Sequence, residues 1–210
     1  MNKLFNFDKQ YKIAIGTDEA GRGPAAGGVF AACVYFPEVS QNLIKDLDKL
    51  NDSKQISKKN RENLYDVIFS NSINHIAFID VDEIEKINIL NSSLKAMKIA
   101  CENVIQKANL QDFITLIDGN NLIKNYTFPQ QFVIKGDSKS ASIAAASILA
   151  KVARDRYMEE LAEEFPQYNW ANNAGYLTKD HLDAIDKYGL TKYHRPSFLE
   201  RHFNKQLTLF

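Results

Sequence analysis

Two short apolar segments of this chain each run straight into a carboxylate and then a glycine. In the first, Lys12–Asp18, Ile13, Ile15 and Thr17 alternate with Ala14, Gly16 and Asp18, the period-two pattern of a strand. It ends in Asp18-Glu19-Ala20-Gly21. The second, Phe113–Asp118, ends in Asp118-Gly119. A further acid, Asp137, follows Gly136 just before an alanine-rich helical stretch. Acids at strand ends and helix starts lie where α/β sheets place their ligands, so these positions constrain both the fold class and the place of any site.

Neighbouring residues of a regular strand point to opposite faces. Asp18 and Glu19 are therefore expected to share a site only if the strand ends there and the chain turns, which Gly21 and Gly23 permit. Singly, each acid has an ordinary explanation: Asp-Gly is a common turn pair, and Asp137 could cap the helix after it. Together they form a set of four oxygen-donor side chains with no His or Cys nearby in sequence. If they converge, hard oxygen ligands favour Mg²⁺ or Mn²⁺ over zinc. Mutual repulsion would strain the cluster until a cation arrives.

The other elements follow from pattern and punctuation. Val29–Phe36 is almost continuously apolar and so reads as a central strand, stopped by Pro37. Ser57 caps a helix to about Ser70 with Leu64, Val67 and Ile68 inward. Ile73–Ile79 is a strand candidate and Gln131–Ile134 a short one. Asn91–Ala108 is the clearest helix, with Leu90, Leu94, Met97, Cys101, Val104, Ile105 and Ala108 on one face. Ser140–Glu164 is helical, and its run Ala144-Ala145-Ala146 allows close packing. Thr178 caps a last clear helix, which Gly189 stops. Strands first and helices later predict an α/β domain with a mixed sheet and a helical C-terminal part.

At 210 residues the chain suits one domain. Lys plus Arg and Asp plus Glu number 26 each, which argues against a broadly basic nucleic-acid coat. Positive charge is nevertheless concentrated locally, with net +3 over Lys135–Arg156 and +4 over Lys187–Lys205. Phosphate contacts from such segments would make affinity fall with salt. Cys33 and Cys101, in apolar surroundings, are expected to be buried reduced thiols. No apolar run is long enough to span a bilayer. The polar, mixed-charge segment Met1–Tyr11 is not a secretory signal, so the expected compartment is the cytoplasm.

Ordered blocks then supply a resemblance. Asp18-Glu19-Ala20-Gly21-Arg22-Gly23-Pro24, Leu50-Asn51-Asp52-Ser53-Lys54 with Ile56-Ser57, Leu116-Ile117-Asp118-Gly119 and Lys135-Gly136-Asp137 come first. Ile143–Ile148 with Lys151-Val152 and Arg154-Asp155-Arg156, then Gly175-Tyr176, Thr178-Lys179, His181, His194-Arg195 and Ser197-Phe198 complete the series. In this order the blocks resemble the ribonuclease HII family over roughly residues 12 to 198. The resemblance implies a ribonuclease H-like fold and a monomeric endonuclease. Such an enzyme hydrolyses the RNA strand of RNA/DNA hybrids and incises DNA on the 5′ side of embedded ribonucleotides, using Mg²⁺ or Mn²⁺. It implies metal-binding, catalytic roles for Asp18, Glu19, Asp118 and Asp137. Gly21, Arg22 and Gly23 would read the RNA–DNA junction, and Tyr176 would pack on the deoxyribose beyond the ribonucleotide. Lys54, Ser138, Lys139, His194 and Arg195 would be phosphate or substrate contacts. The chain departs from the family pattern at Ala25 and Gly28, where a larger apolar residue and a proline are expected, and at Leu177, where glycine is expected beside Tyr176.

The end of the chain, Gln206-Leu207-Thr208-Leu209-Phe210, resembles the short peptide by which bacterial replication proteins dock on the sliding clamp. An extended tail offers apolar anchors (Leu207, Leu209, Phe210) and a register-fixing glutamine (Gln206). The expected organisation is thus a catalytic domain over 1–200 and a tail over 201–210. Three other readings compete. Ribonuclease HIII is disfavoured by the intact Gly21-Arg22-Gly23 and by the lack of a long segment before Asp18. A catalytically silent nucleic-acid or clamp adaptor would not need four acids. A nucleotide-binding α/β protein would need a phosphate-cradling glycine motif opening a helix after a strand.

Overall fold

The computed structural model describes residues 3–50 and 56–207. Five strands, β1 Ala14–Ala20, β2 Val29–Tyr35, β3 Ile73–Ile79, β4 Ile114–Asp118 and β5 Gln130–Val133, form one sheet in the order β3-β2-β1-β4-β5. β1–β2 and β2–β3 are antiparallel, whereas β1–β4 and β4–β5 are parallel. The expected mixed sheet is therefore present: its first three strands form a meander, helices over Val81–Ile87 and Ile89–Ala108 lie in the crossover to the fourth, and the irregular segment 119–129 leads to the fifth.

Nine helices accompany the sheet among the described residues: α1 Lys3–Asp8, α2 Gln41–Asp46, α3 Lys58–Asn71, α4 Val81–Ile87, α5 Ile89–Ala108, α6 Ala141–Glu164, α7 Trp170–Asn173, α8 Lys179–Tyr188 and α9 Pro196–Leu207. The two long ones cover opposite faces. α5 lays Met97, Ala100, Cys101 and Val104 against Ile15, Ala31, Cys33 and Ile117. α6 lays its alanine-rich start against Ala32 and Val34, and its Ile143 against Leu116. Cys33 and Cys101 are free and buried in the α5 face, as expected. A third cluster, Met158, Leu161, Tyr168, Trp170, Ile185 and Leu199, unites the C-terminal helices with Ala25 and Ala26. No described helix is long and apolar enough to cross a membrane.

The short helices α1, α2, α4 and α7 escape a periodicity reading because each spans two turns or fewer. α8 is capped by Thr178, whose hydroxyl accepts from His181 N, and ends at Gly189. It is not the last helix. α9 opens on Pro196, a residue suited to the first helical turn, and stays helical to Leu207. The division expected at residue 200 falls inside it, so Gln206 and Leu207 are helical rather than extended. Leu209 and Phe210 lie outside the described residues, as does Lys54.

α6 approaches β1 so closely that a Cβ on Gly16 would lie 2.3 Å from the backbone of Ser142 and Ile143. Neither backbone can yield without moving the start of α6. Gly16→Ala should therefore cost about 3 kcal/mol, the upper part of the overpacking range. Denaturant unfolding checks this; a loss below about 0.5 kcal/mol would show that the contact is soft.

Candidate active site

Register places the acids. β1 pairs with β4 only as far as Thr17↔Ile117, and β4 ends at Asp118. Gly119, at φ 96°, then turns the chain away. β1 continues to Ala20, still paired with β2 on its other edge, so its last three residues present a free edge toward β4. This corrects the expectation that the strand stops at Asp18. Asp18 and Glu19 both lie in regular strand and point to opposite faces. Asp18 faces α6 and Ser147, whereas Glu19 faces the α5 side, near Leu90, Ser93 and Met97. They reach one cleft because that cleft wraps the open edge where β4 has left.

The cleft has a volume of about 440 Å³ and is lined by Asp18, Glu19, Asp118 and Asp137 together with Gly21, Arg22, Gly23 and Tyr176. Asp18 is buried and accepts from the backbone N–H of Glu19 at 2.7 Å. Burial pushes its pKa well above the ordinary carboxylate value. Glu19 and Asp118 push the same way, partly opposed by Ser147 and the Glu19 N–H. Burial also raises Glu19, offset mainly by the Arg22 guanidinium 3.2 Å away. Asp118 Oδ1 accepts from Gly136 N at 2.6 Å, which ties the end of β4 to the turn Gly136–Ser138 that carries Asp137. Asp137 does not cap α6; Ser140 does, accepting from Ile143 N. Among the described residues, no group of three or more His, Cys, Asp or Glu side chains stands ready to hold an ion. The four acids share the cleft without forming a closed chelate.

The loop from Gly21 to Gly28 has an unusual foundation. Two arginines lie beneath it, 1% and 0% exposed, and each donates to backbone carbonyls. Arg154 Nη1 and Nη2 reach Ala174 O and Ala26 O, both at 3.0 Å. Arg195 Nε and Nη1 reach Gly27 O and Pro24 O, both at 2.8 Å. Burial and the neighbouring Arg154 push Arg195 down to about 9, which leaves it charged at neutral pH. Gly21, at φ 105°, has no room for a Cβ, which would sit 2.3 Å from Arg154 Nε. A Cβ on Gly23 would sit 3.2 Å from the Tyr176 ring, which is 51% exposed. Loop and tyrosine thus form one rim of the cleft.

His194 and Arg195 were expected to touch substrate, and this expectation needs correction. Both are fully buried: the backbone of His194 bridges to Ala26, and Arg195 supports the loop from below. Ser138 and Lys139 are exposed beside Asp137 but outside the cleft lining. The basic stretches inferred from sequence are partly consumed inside the fold: Arg154 and Arg195 are buried, and Arg156 pairs with Glu62. Conversely, Arg61, Ser147, Lys151 and Arg154 line the cleft, although the sequence assigned none of them a site role. Three of them carry a sequence signal, since Ser147, Lys151 and Arg154 recur at i, i+4 and i+7 along the mostly apolar first half of the helix.

Comparison with known proteins agrees with this architecture. The family model described as Ribonuclease HII matches residues 15–206. A protein of Fusobacterium nucleatum named Ribonuclease HII is 45% identical over 201 residues, covering 95% of this chain and 92% of its own. The solved complex of PCNA and RNase HII from Archaeoglobus fulgidus superposes with a TM-score of 0.70 at 22% identity, covering 87% of this chain and 93% of that one. The solved Bst-RNase HIII in complex with Mn²⁺ gives a TM-score of 0.65 at 18% identity, covering 84% of this chain and 63% of that one. At such identities the two structures speak for the fold.

Proposed function

The chain belongs to the ribonuclease HII family and is a hydrolytic nuclease, and on that basis we propose that it is a divalent-metal-dependent endonuclease of the cytoplasm, acting as a monomer on RNA/DNA hybrids and on DNA containing ribonucleotides. Cleavage falls on the 5′ side of the ribonucleotide and leaves a 3′-hydroxyl and a 5′-phosphate, the first step in removing ribonucleotides from DNA. The observation that carries this reading is the meeting of four carboxylates with the Gly21–Gly23 loop and Tyr176 around one cleft at the open end of β1 and β4.

The donor set suits Mg²⁺ or Mn²⁺. Its acids supply hard oxygens, no imidazole or thiol among the described residues lines the cleft, and the burial and crowding that raise Asp18 and Glu19 are relieved by a cation. Asp18, Glu19, Asp118 and Asp137 would hold the ions, drawing together as they bind. Two bound cations would supply Lewis-acid stabilisation of the entering and departing oxygens of an in-line phosphoryl displacement. The Mn²⁺ in Bst-RNase HIII is consistent with that chemistry.

The chain's own groups select and orient the substrate. Backbone at Gly21 and Gly23 can approach a ribose closely, and a 2′-hydroxyl distinguishes RNA from DNA. Arg22, its side chain half exposed and 3.2 Å from Glu19, can reach a phosphate oxygen at the junction. The exposed Tyr176 ring offers a flat apolar surface to the next deoxyribose. Lys54, Ser138 and Lys139 are proposed phosphate contacts, joined by Arg61 and Lys151 of the cleft wall. His194 and Arg195 serve by supporting the loop. Incubating a labelled RNA/DNA hybrid with Mg²⁺, Mn²⁺ or chelator tests the activity. Cleavage with either metal and none with chelator is expected; metal-independent cleavage would contradict the site.

Residues 206–210 would dock on a sliding clamp, with residues 1–200 as the catalytic unit. The Archaeoglobus protein's complex with PCNA lends this support by analogy of fold. Because α9 is helical to Leu207, docking in an extended form requires its last turn to unwind. Deleting residues 206–210 should abolish retention on immobilised bacterial clamp while leaving hybrid cleavage within about twofold, since the described cleft lining is drawn from residues 18 to 176. Equal retention of both forms would dismiss the tail.

A further inference from the structure

A buried line of hydrogen bonds runs beneath Tyr176, and two groups in it that can only donate fix the tautomers of two histidines. The backbone N–H of Thr191 can only donate, and it lies 2.9 Å from Nδ1 of His194. That nitrogen is therefore bare, and a neutral His194 carries its proton on Nε2. The indole N–H of Trp170 also can only donate, and it lies 3.0 Å from Nε2 of His181. His181 is thus bare at Nε2 and protonated at Nδ1. The two Nε2 atoms are 3.2 Å apart, so the protonated one, of His194, donates to the bare one, of His181. The remaining proton, on His181 Nδ1, faces the carbonyl oxygen of Tyr176 at 2.9 Å. His181 Nε2 is thus the shared acceptor of the indole N–H and the His194 N–H. Burial lowers both histidines, His194 to about 4, so both rings are neutral at physiological pH.

The surroundings make this line rigid. Trp170, His181 and His194 are 0%, 0% and 1% exposed. Tyr168 packs edge-on against His194 with ring centroids 4.8 Å apart. Above them, the Tyr176 peptide is fixed while its ring stays exposed. Its carbonyl accepts from Thr178 N at 2.8 Å as well as from His181, and its N–H donates to Asn173 O at 2.9 Å. The ring then rests over Gly23 at the rim of the cleft.

We propose that His181 is a positioning residue for junction recognition: its Nδ1–H, held in one tautomer by Trp170 and His194, fixes the Tyr176 peptide so that the ring stands over Gly23 and meets the sugar beyond the ribonucleotide. This rests on the role proposed for Tyr176 above and deepens it. A rigid buried donor answers the departure at position 177, where leucine replaces the glycine of the family pattern. Leu177 is outside the left-handed region, and the backbone that aims the ring is fixed by hydrogen bonds to its neighbour's carbonyl.

A double-mutant cycle tests the proposal, with kcat/KM for a duplex carrying one ribonucleotide as the readout. His181→Leu should lower it about 10- to 100-fold, the cost of a displaced substrate-positioning group. Tyr176→Ala should lower it at least as much. In the Tyr176→Ala background, His181→Leu should then cost no more than about twofold, because its effect passes through the ring. A general loss of packing would instead cost the same in both backgrounds, and that result would overturn the proposal. If Tyr176→Ala alone has no effect, the reading of Tyr176 fails and the proposal falls with it. If Tyr176→Ala acts but His181→Leu does not, only the proposal fails. Should the leucine variant not fold, His181→Asn decides, since its amide can place an N–H near the lost Nδ1. It should lie within about threefold of the parent in the first background, and an equal, larger loss in both backgrounds would refute the role. Imidazole ¹⁵N shifts give an activity-free check: His181 protonated at Nδ1 and His194 at Nε2 are expected, and the opposite tautomers would contradict the line.

Discussion

Asp118→Asn and Asp18→Asn should each cut hybrid cleavage by on the order of a thousandfold or more while leaving the fold intact. On the proposed reading each replaces an oxygen ligand by a neutral amide, and a lost metal contact would remove several kcal/mol of transition-state stabilisation, with about 1.4 kcal/mol for each factor of ten. The backbone bonds at both positions survive, because asparagine Oδ1 can still accept from Glu19 N at position 18 and from Gly136 N at position 118. Asp18→Asn should also stabilise the metal-free protein at neutral pH. The folded pKa of Asp18 is raised above its ordinary 3.8 by burial, Glu19 and Asp118. A carboxyl shifted in this direction favours the folded state below its unfolded value, and that contribution is lost as pH rises through the folded value. In chelator, the parent should therefore lose stability relative to Asp18→Asn as pH rises from about 4 through the folded value. Melting curves at pH 4 and pH 7 read it directly. A less stable Asp18→Asn at pH 7 would mean that the acid is held by a partner rather than opposed by its neighbours.

Tyr176→Ala should lose most cleavage at a single embedded ribonucleotide, about 100-fold, yet retain metal-linked stabilisation. The ring is 51% exposed, so its loss leaves only a small cavity, and surface changes of this kind shift stability by about 0.5 kcal/mol or less. Its effect belongs to orientation, where a small displacement can cost about 100-fold. A titration with Mn²⁺ followed by melting temperature should be unchanged, because no oxygen ligand has been touched. Junction cleavage equal to the parent's would remove Tyr176 from the substrate surface. Loss of the Mn²⁺-linked rise in the parent protein would favour a silent adaptor instead, since stabilisation by a ligand requires that it bind the folded state.

Much of this architecture was legible because its signals are local. β3 matches its predicted bounds, and β1, β2, β4 and β5 differ by one or two residues at their ends. Apolar runs, caps at Ser57 and Thr178 and the stop at Gly189 are read without knowing what they pack against. Sharing of one cleft by Asp18 and Glu19 was harder to foresee. It depends on β4 ending before β1 does, and the relative lengths of strands far apart in sequence carry no local mark. The burial of His194 and Arg195 was invisible for a similar reason. Histidine and arginine near a nucleic-acid site suggest phosphate contact, but here the guanidinium is consumed by carbonyls of a loop more than 160 residues away. Gly28 shows the reverse. Its departure from the family pattern gave no clue alone, whereas in the fold its absent Cβ would lie 2.3 Å from the Phe78 ring. The missing bulk at 28 and the aromatic at 78 belong together.

Incision of a DNA duplex carrying one ribonucleotide, beside an all-DNA control, tests the whole assignment most directly. With Mg²⁺ or Mn²⁺ a single cut is expected on the 5′ side of the ribonucleotide, leaving a 3′-hydroxyl and a 5′-phosphate, with no cut in chelator or in the control. Cleavage confined to long hybrids, with the single-ribonucleotide duplex intact, would contradict junction reading by the Gly21–Gly23 loop and Tyr176.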